Sequence, residues 1–240
     1  MDPRSVDVSA GLNWYSCGWR LFMKAPAMWL VMMIIMLVIA IVLVFIPLVG
    51  QLALMLIAPA LGGGFYFAVD SADRGGPVEP TMLFEGLRDP ARRNPLLTLG
   101  ALTLAVGIVG LLVMMVTMAG GAMGGMMMED GPMGEAGMRG GIGAGWLLGL
   151  LLMLALELAV IMGMFYAIPL VMLRRAAPVA AVKASFSACF KNLLPLLVFG
   201  VVYAVLAIIA VIPLGLGLLL LIPVSLCAGY CSYKDIFGDQ

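Results

Sequence analysis

Six stretches of this chain run for about twenty residues with no charged side chain, or with only one, and no other feature constrains the fold so tightly. They fall at 28–46, 51–69, 95–117, 146–170, 193–211 and 214–233. A hydrocarbon core about 30 Å thick is crossed by roughly 20 apolar residues in a helix, so each run can span it. With 64% hydrophobic and 11% charged residues, the 240-residue chain fits no soluble composition class. The expected fold is an all-α integral membrane protein with six transmembrane helices. No small-residue cleavage site closes the first run, which predicts an uncleaved first span rather than a signal peptide.

Two of the breaks are short. "IPLVG" at 46–50 and "IPLG" at 212–215 place Pro and Gly at a turn, which folds spans one and two, and spans five and six, into tight hairpins. Spans three and four are separated by a Gly- and Met-rich loop at 118–145. Of the thirteen Lys and Arg, twelve fall on the side that holds the two termini and the connections between hairpins, and only Arg139 falls on the other. Positive charge is retained on the cytoplasmic side of a membrane protein, so both termini are expected in the cytoplasm of a bacterial inner membrane and the Met-rich loop outside it.

The second helices of the outer hairpins look like copies. "IPLVGQLALMLIAPALGGGFYF" (46–67) and "IPLGLGLLLLIPVSLCAGYCSY" (212–233) share a turn, a leucine run, a mid-helix proline and a small-then-aromatic ending. The approaches recur as well, in "GWRLFMKAPAMWL" (18–30), "LFEGLRDPARRNPLL" (83–97) and "SFSACFKNLLPLL" (185–197). Three repeats in one membrane domain are expected: about 9–70 with helices 28–46 and 51–69, about 79–175 with helices 95–117 and 146–170, and about 178–237 with helices 193–211 and 214–233. An amphipathic elbow helix at the cytoplasmic interface introduces each hairpin. Leu12, Tyr15, Trp19 and Phe22 in the first, and Val179, Val182, Phe186 and Cys189 in the third, recur at helical spacing. The basic residues Lys24, Arg88, Arg92, Arg93 and Lys191 are expected to face anionic lipid headgroups or an acidic partner.

The combination of "GWRLFMKAPAMWL", "IPLVG", "SFSACFKN" and "YCSYKDIFG" resembles a widespread bacterial family of uncharacterised multi-pass inner-membrane proteins. More distantly, the repeated elbow and hairpin resemble the membrane domain attached to some glycerophosphodiester phosphodiesterases. The first resemblance implies a six-helix inner-membrane protein and brings no activity, cofactor or site residue with it.

Chemistry-bearing residues are few. Glu157 is the one charge within a span, and a carboxylate near the bilayer centre costs about 2.5–3.5 kcal/mol on insertion scales, so it is expected to face the bundle or a wet cavity. It is either a proton or cation site, or a protonated side chain bonding a neighbouring helix. Pro59 with Gly62, Gly63 and Gly64, and Pro223 with Gly229, interrupt matching helices. Such breaks either free backbone groups for an ion or kink helices for packing. Met118, Met123, Met126, Met127, Met128, Met133 and Met138 could wrap a soft metal such as Cu(I), or lie on a membrane or partner surface. The four cysteines are too few and scattered for a disulfide framework, and Cys227 and Cys231 share a helix face.

Histidine is absent, which removes the commonest general base, metal ligand and near-neutral switch. No phosphate-binding glycine loop with a lysine, no Ser/His/Asp set and no paired extramembrane carboxylates stand out. The expectation is a non-catalytic accessory or scaffold subunit without a cofactor, binding the bilayer and a membrane protein or a second copy of itself. Two alternatives stand beside it: a small transporter or channel built on Glu157 and the Pro/Gly sites, and periplasmic-side handling of a soft metal. A net charge of zero gives no basis for nucleic-acid binding.

Overall fold

A computed structural model describes residues 2–127 and 134–238, with 121–127 and 134–144 described as helical backbone alone. Among the described residues the chain is all-helical. The elements are α1 (Ala10–Phe22), α2 (Pro26–Val44), α3 (Val49–Asp73), a 3-10 turn (Pro80–Phe84), α4 (Glu85–Arg88), α5 (Pro90–Met127), α6 (Gly134–Phe165), α7 (Ala167–Arg174), α8 (Pro178–Lys191), α9 (Leu193–Val211) and α10 (Leu218–Phe237). Six segments are long and apolar enough to cross a membrane: Pro26–Val44, Val49–Asp73, Pro90–Gly120, Gly145–Arg174, Leu193–Val211 and Leu218–Phe237. The chain divides into two compact units, one of Met1–Ala101 with Met162–Gln240, the other of Leu102–Ile161.

In the first unit α3 and α10 form the interior. Gly229 of α10 leaves room for the Tyr66 hydroxyl of α3, where a Cβ would sit 3.0 Å away. Trp29, Phe65, Leu83, Leu96, Tyr166, Leu170, Tyr230 and Ile236 are among the side chains fully withdrawn from the surface here. The α2 and α9 helices flank this core and leave most of their apolar side chains exposed, as a lipid-facing helix must. Both Ile-Pro-Leu turns use a leucine at positive φ, Leu48 at 61° and Leu214 at 56°. At Leu48 the Val49 N–H bonds the Pro47 carbonyl at 2.7 Å, a γ-turn that reverses the chain within three residues.

The helices run through the expected breaks. Pro59 lies inside an uninterrupted α3 and Pro223 inside an uninterrupted α10, so neither they nor Gly62, Gly63, Gly64 and Gly229 open a gap. The glycines serve close packing instead. A Cβ on Gly64 would overlap the backbone of Leu83, and one on Gly86 would press on the Ala60 carbonyl, so the 3-10 turn and α4 lie directly against α3. The interrupted span is the fourth, where α6 ends at Phe165 and α7 starts at Ala167. Pro169 explains it: a proline is tolerated in the first turn of a new helix, where its missing N–H is not needed.

The elbows pack on the core through faces rich in small residues, and part of the stripe expected to lie in the acyl boundary is left exposed. In α1 the buried face is Ala10, Gly11, Trp14, Gly18, Leu21 and Phe22, while Leu12 and Trp19 stay exposed. Gly18 lies against the backbone of Ala228 in α10, which brings the two helices closer than aromatic side chains would allow. In α8 the buried residues are Ala181, Ala184, Ser185, Ala188 and Cys189, and Val179 is exposed. The second elbow is the 3-10 turn and the four-residue α4, with α5 starting at Pro90 rather than at residue 95.

The second unit is a hairpin of the parts of α5 and α6 within Leu102–Ile161. Gly110 sits against Met153 and Leu156, and Gly149 against Met114 and Thr117. The Thr117 hydroxyl donates back to the Val113 and Met114 carbonyls, both at 3.0 Å, and is satisfied within its own helix. The segment expected as a loop over 118–145 is mostly helix, with α5 continuing to Met127 and α6 starting at Gly134. Glycine disfavours a helix by only about 1 kcal/mol relative to alanine, and methionine is a good helix former.

Candidate functional site

Polar side chains gather where the inner helices of the first unit meet the chain termini. The last turn of α3 presents Asp70, Asp73 and Arg74, and the facing turn of α10 presents Tyr230, Tyr233 and Lys234, each set spaced i, i+3, i+4 on one side of its helix. Tyr230 donates its hydroxyl to Asp70 at 2.8 Å, Arg74 pairs with Asp70 at 3.0 Å, and Lys234 pairs with Asp73 at 2.6 Å. From α7, Arg174 donates to the carbonyls of Phe237 and Gly238 at 3.0 and 2.6 Å and lies 5.4 Å from the Tyr233 ring centre. Arg175 follows in a left-handed conformation, φ 52°, with its guanidinium 3.8 Å from Asp89. These groups surround a cavity of about 300 Å³ lined by Asp70, Arg74, Arg174, Arg175, Tyr230, Tyr233 and Lys234 together with Leu173 and Gly238.

A second polar system ties the termini to this end. The buried Asn192 accepts from the Val6 N–H at 2.8 Å and donates to the Arg4 carbonyl at 2.9 Å. Arg4 donates its own N–H to Ile236 at 2.8 Å, and Trp14 donates to Asp235 at 3.0 Å. Cys17 and Cys231 form a disulfide between α1 and α10, across 214 residues of sequence. The scattered spacing of the cysteines gave no sign of it, and it removes Cys231 from any pairing with Cys227, which is buried alone. Tyr15 stacks on Phe199 with ring centres 4.7 Å apart, and burial pushes its hydroxyl up to about 12.

At the break between α6 and α7, Ser185 of α8 replaces a lost helical bond. Its hydroxyl donates to the Met162 carbonyl at 2.6 Å and accepts from the Tyr166 N–H at 3.0 Å, taking the place between two groups that an unbroken helix would join directly. The Tyr166 hydroxyl reaches Ser232 at 3.3 Å, and Ser232 donates to the Gly229 carbonyl at 2.7 Å. Cys189 lies beside the same Met162 carbonyl at 3.5 Å, and burial pushes its thiol up to about 11.

The basic residues singled out from sequence divide into two groups. Lys24 donates to the Ala72 carbonyl at 2.8 Å and caps α3, and Lys191 donates to the Pro3 carbonyl at 3.3 Å. Arg92 pairs with Asp89 at 3.5 Å and Glu85 at 3.6 Å and lies 4.9 Å from the Phe67 ring centre. All three make contacts within the protein: Lys24 at the end of α3, Arg92 with two carboxylates, and Lys191 with a main-chain carbonyl of the N-terminal arm. Arg88 and Arg93 are exposed.

Glu157 departs from expectation, since it is exposed on α6 among the exposed Leu154, Leu158 and Ile161. The packing stripe of α6 in its hairpin runs through Gly149, Met153 and Leu156, and Glu157 falls one residue off it. Met118 is exposed on α5. Met128 and Met133, and the side chains of Met123, Met126, Met127 and Met138, lie outside the described residues.

The chain is distantly homologous over nearly its full length to a protein of Burkholderia thailandensis named "probable inner membrane protein". The two are 26% identical over 258 residues, covering 98% of this chain and 94% of that one. No protein-family model and no solved structure matches the chain. With six membrane-length helices, the chain is a multi-pass membrane protein related to one named for the inner membrane.

Proposed function

We propose that this chain is a non-catalytic inner-membrane subunit, with both termini in the cytoplasm, that scaffolds an assembly by taking another membrane-embedded helix against α6. The observation that carries this reading is the exposure of Glu157. Its position is thirteen residues into the span that starts at Gly145, about 18 Å along a helix at 1.5 Å per residue, and so at mid-depth. A carboxyl group there costs about 2.5–3.5 kcal/mol against lipid, and a partner helix carrying a hydrogen-bond donor offsets that cost. The face around it is apolar, as a helix-binding face in a membrane is.

Purification in a mild detergent tests this. The native chain is expected to bring down a membrane protein in fixed stoichiometry, Glu157→Gln to retain it through its amide, and Glu157→Leu to lose it. A native chain that purifies alone, or a Glu157→Leu variant that keeps the partner, overturns the reading. Transport remains the second reading and now rests on Glu157 without the Pro/Gly sites, since α3 and α10 are continuous. For that reading, Glu157→Gln should abolish an identified flux. Soft-metal handling rests on the methionine composition of 118–138, and deletion of that segment should then abolish Cu(I) binding.

A further inference from the structure

We propose that the cavity between α3, α7 and α10 binds a phosphate-bearing anion, either the headgroup of an anionic phospholipid or free phosphate. Four cations line it, Arg74, Arg174, Arg175 and Lys234, against a single lining carboxylate, Asp70. Asp70 is held by Arg74 at 3.0 Å and by the Tyr230 hydroxyl at 2.8 Å, so its charge is already answered. Asp73 answers Lys234 at 2.6 Å. Asp89 stands 3.8 Å from Arg175 and is shared with Arg92 at 3.5 Å. Arg174 bonds two main-chain carbonyls, which carry no formal charge, and both bonds leave from the same nitrogen, Nη2. Arg92 also has Glu85 at 3.6 Å, so the cavity holds a surplus of positive charge centred on Arg174, with Arg175 beside it held only by the longer contact to Asp89.

The backbone explains how two consecutive arginines come to line one cavity. Neighbouring residues in a helix point about 100° apart, whereas α7 ends at Arg174 and Arg175 turns back with φ 52°. A non-glycine residue in that region is strained by roughly 1–2 kcal/mol, and the fold holds it there. Guanidinium is the side chain best suited to phosphate, because its planar donors match two oxygens at once. At about 300 Å³ the cavity is at the small end of ligand sites, the size for a headgroup or inorganic anion rather than a larger metabolite. The Arg175 side chain is 63% exposed and paired only at 3.8 Å, so it can turn onto an arriving anion without breaking a close contact.

The site lies in the first unit, and its failure would leave the reading of Glu157 untouched. The test uses the full chain in a neutral detergent with three probes: phosphatidylglycerol, phosphatidylcholine, and inorganic phosphate against chloride at matched ionic strength. Thermal unfolding and native mass spectrometry give the readouts. Phosphatidylglycerol is expected to raise the unfolding midpoint where phosphatidylcholine does not, and Arg174→Gln with Arg175→Gln to weaken its binding at least about tenfold, since the loss of a single charge-assisted contact already does so. Lys183→Gln, exposed on α8 and outside the cavity, should bind as the native chain does. A phosphate effect that the double variant abolishes, with nothing added by phosphatidylglycerol, assigns the site to a soluble anion. Binding that survives the double variant, or a midpoint that no phosphate-bearing probe moves, overturns the proposal. Arg175→Gln alone, at an exposed position, provides the same comparison at smaller amplitude should the loss of the Arg174 bonds prevent folding.

Discussion

Three consecutive glycines in α3 show how differently one residue type is used at neighbouring positions. Gly62 has only Ile168 nearby, 3.9 Å from where a Cβ would sit; Gly63 faces Leu96 at 3.3 Å; Gly64 faces the backbone of Leu83 with no room at all. If the glycines made a flexible break, substitution at each would have a similar effect. Packing makes them unequal. Gly62→Ala is expected to be neutral or to stabilise by up to about 1 kcal/mol through helix propensity. Gly64→Ala should destabilise by about 1–3 kcal/mol, because it must push a backbone segment away. Denaturant or thermal unfolding in detergent gives the two values, and equal effects at 62 and 64 would defeat the packing account. The sequence marked the right residues here and left their role open, because the partner of Gly64 is a loop nineteen positions on whose approach no local pattern records.

Among the helices, the spans were legible and the break was not. A run of twenty apolar residues is a strong signal, and all six runs coincide with membrane-length helices to within a few residues at most ends. Proline is a weaker one. Pro59 and Pro223 each remove one helical hydrogen bond and leave their helices continuous, whereas Pro169 coincides with an interruption at Tyr166. The difference lies in a neighbour, since Ser185 of α8 supplies the hydroxyl that satisfies both Met162 and Tyr166. Ser185→Ala should leave the Tyr166 N–H unsatisfied in a buried position, at about 1–3 kcal/mol. Hydrogen exchange is expected to accelerate at Tyr166 while the centre of α10 keeps its protection. Unchanged exchange at Tyr166 would show that the break does not depend on the serine. The polar cluster at the ends of α3 and α10 was hidden for the same reason: its pairs, such as Tyr230 with Asp70 and Lys234 with Asp73, join residues about 160 apart. Only the local pair of Asp70 and Arg74 has a spacing that a sequence displays.

At the scale of the whole chain, the beginning of the first unit is fastened to its end. Asn192 and α10 hold the N-terminal arm, Trp14 bonds Asp235, and Cys17 is bonded to Cys231. The proposed orientation puts this end in the cytoplasm, where disulfides are rare because soluble thiols reduce them. Partial burial slows reduction: Cys231 is 7% exposed and Cys17 half-buried in the seam where Gly18 and Ala228 bring α1 and α10 into contact. The remaining thiols are also protected. Cys189 and Cys227 are both buried, and burial pushes Cys189 up to about 11, so at pH 8 it stays protonated and gains thiolate only as the pH approaches that value. Thiol counting by alkylation and mass spectrometry therefore has a defined outcome. The folded protein at pH 8 should label slowly or not at all, two cysteines should label on denaturation without reductant, and all four after reduction. Four labelled cysteines in the unreduced, denatured protein would show that α1 is held on α10 by packing and the Trp14–Asp235 bond alone. Rapid labelling of Cys189 in the folded state would show that α8 opens away from the α6–α7 break.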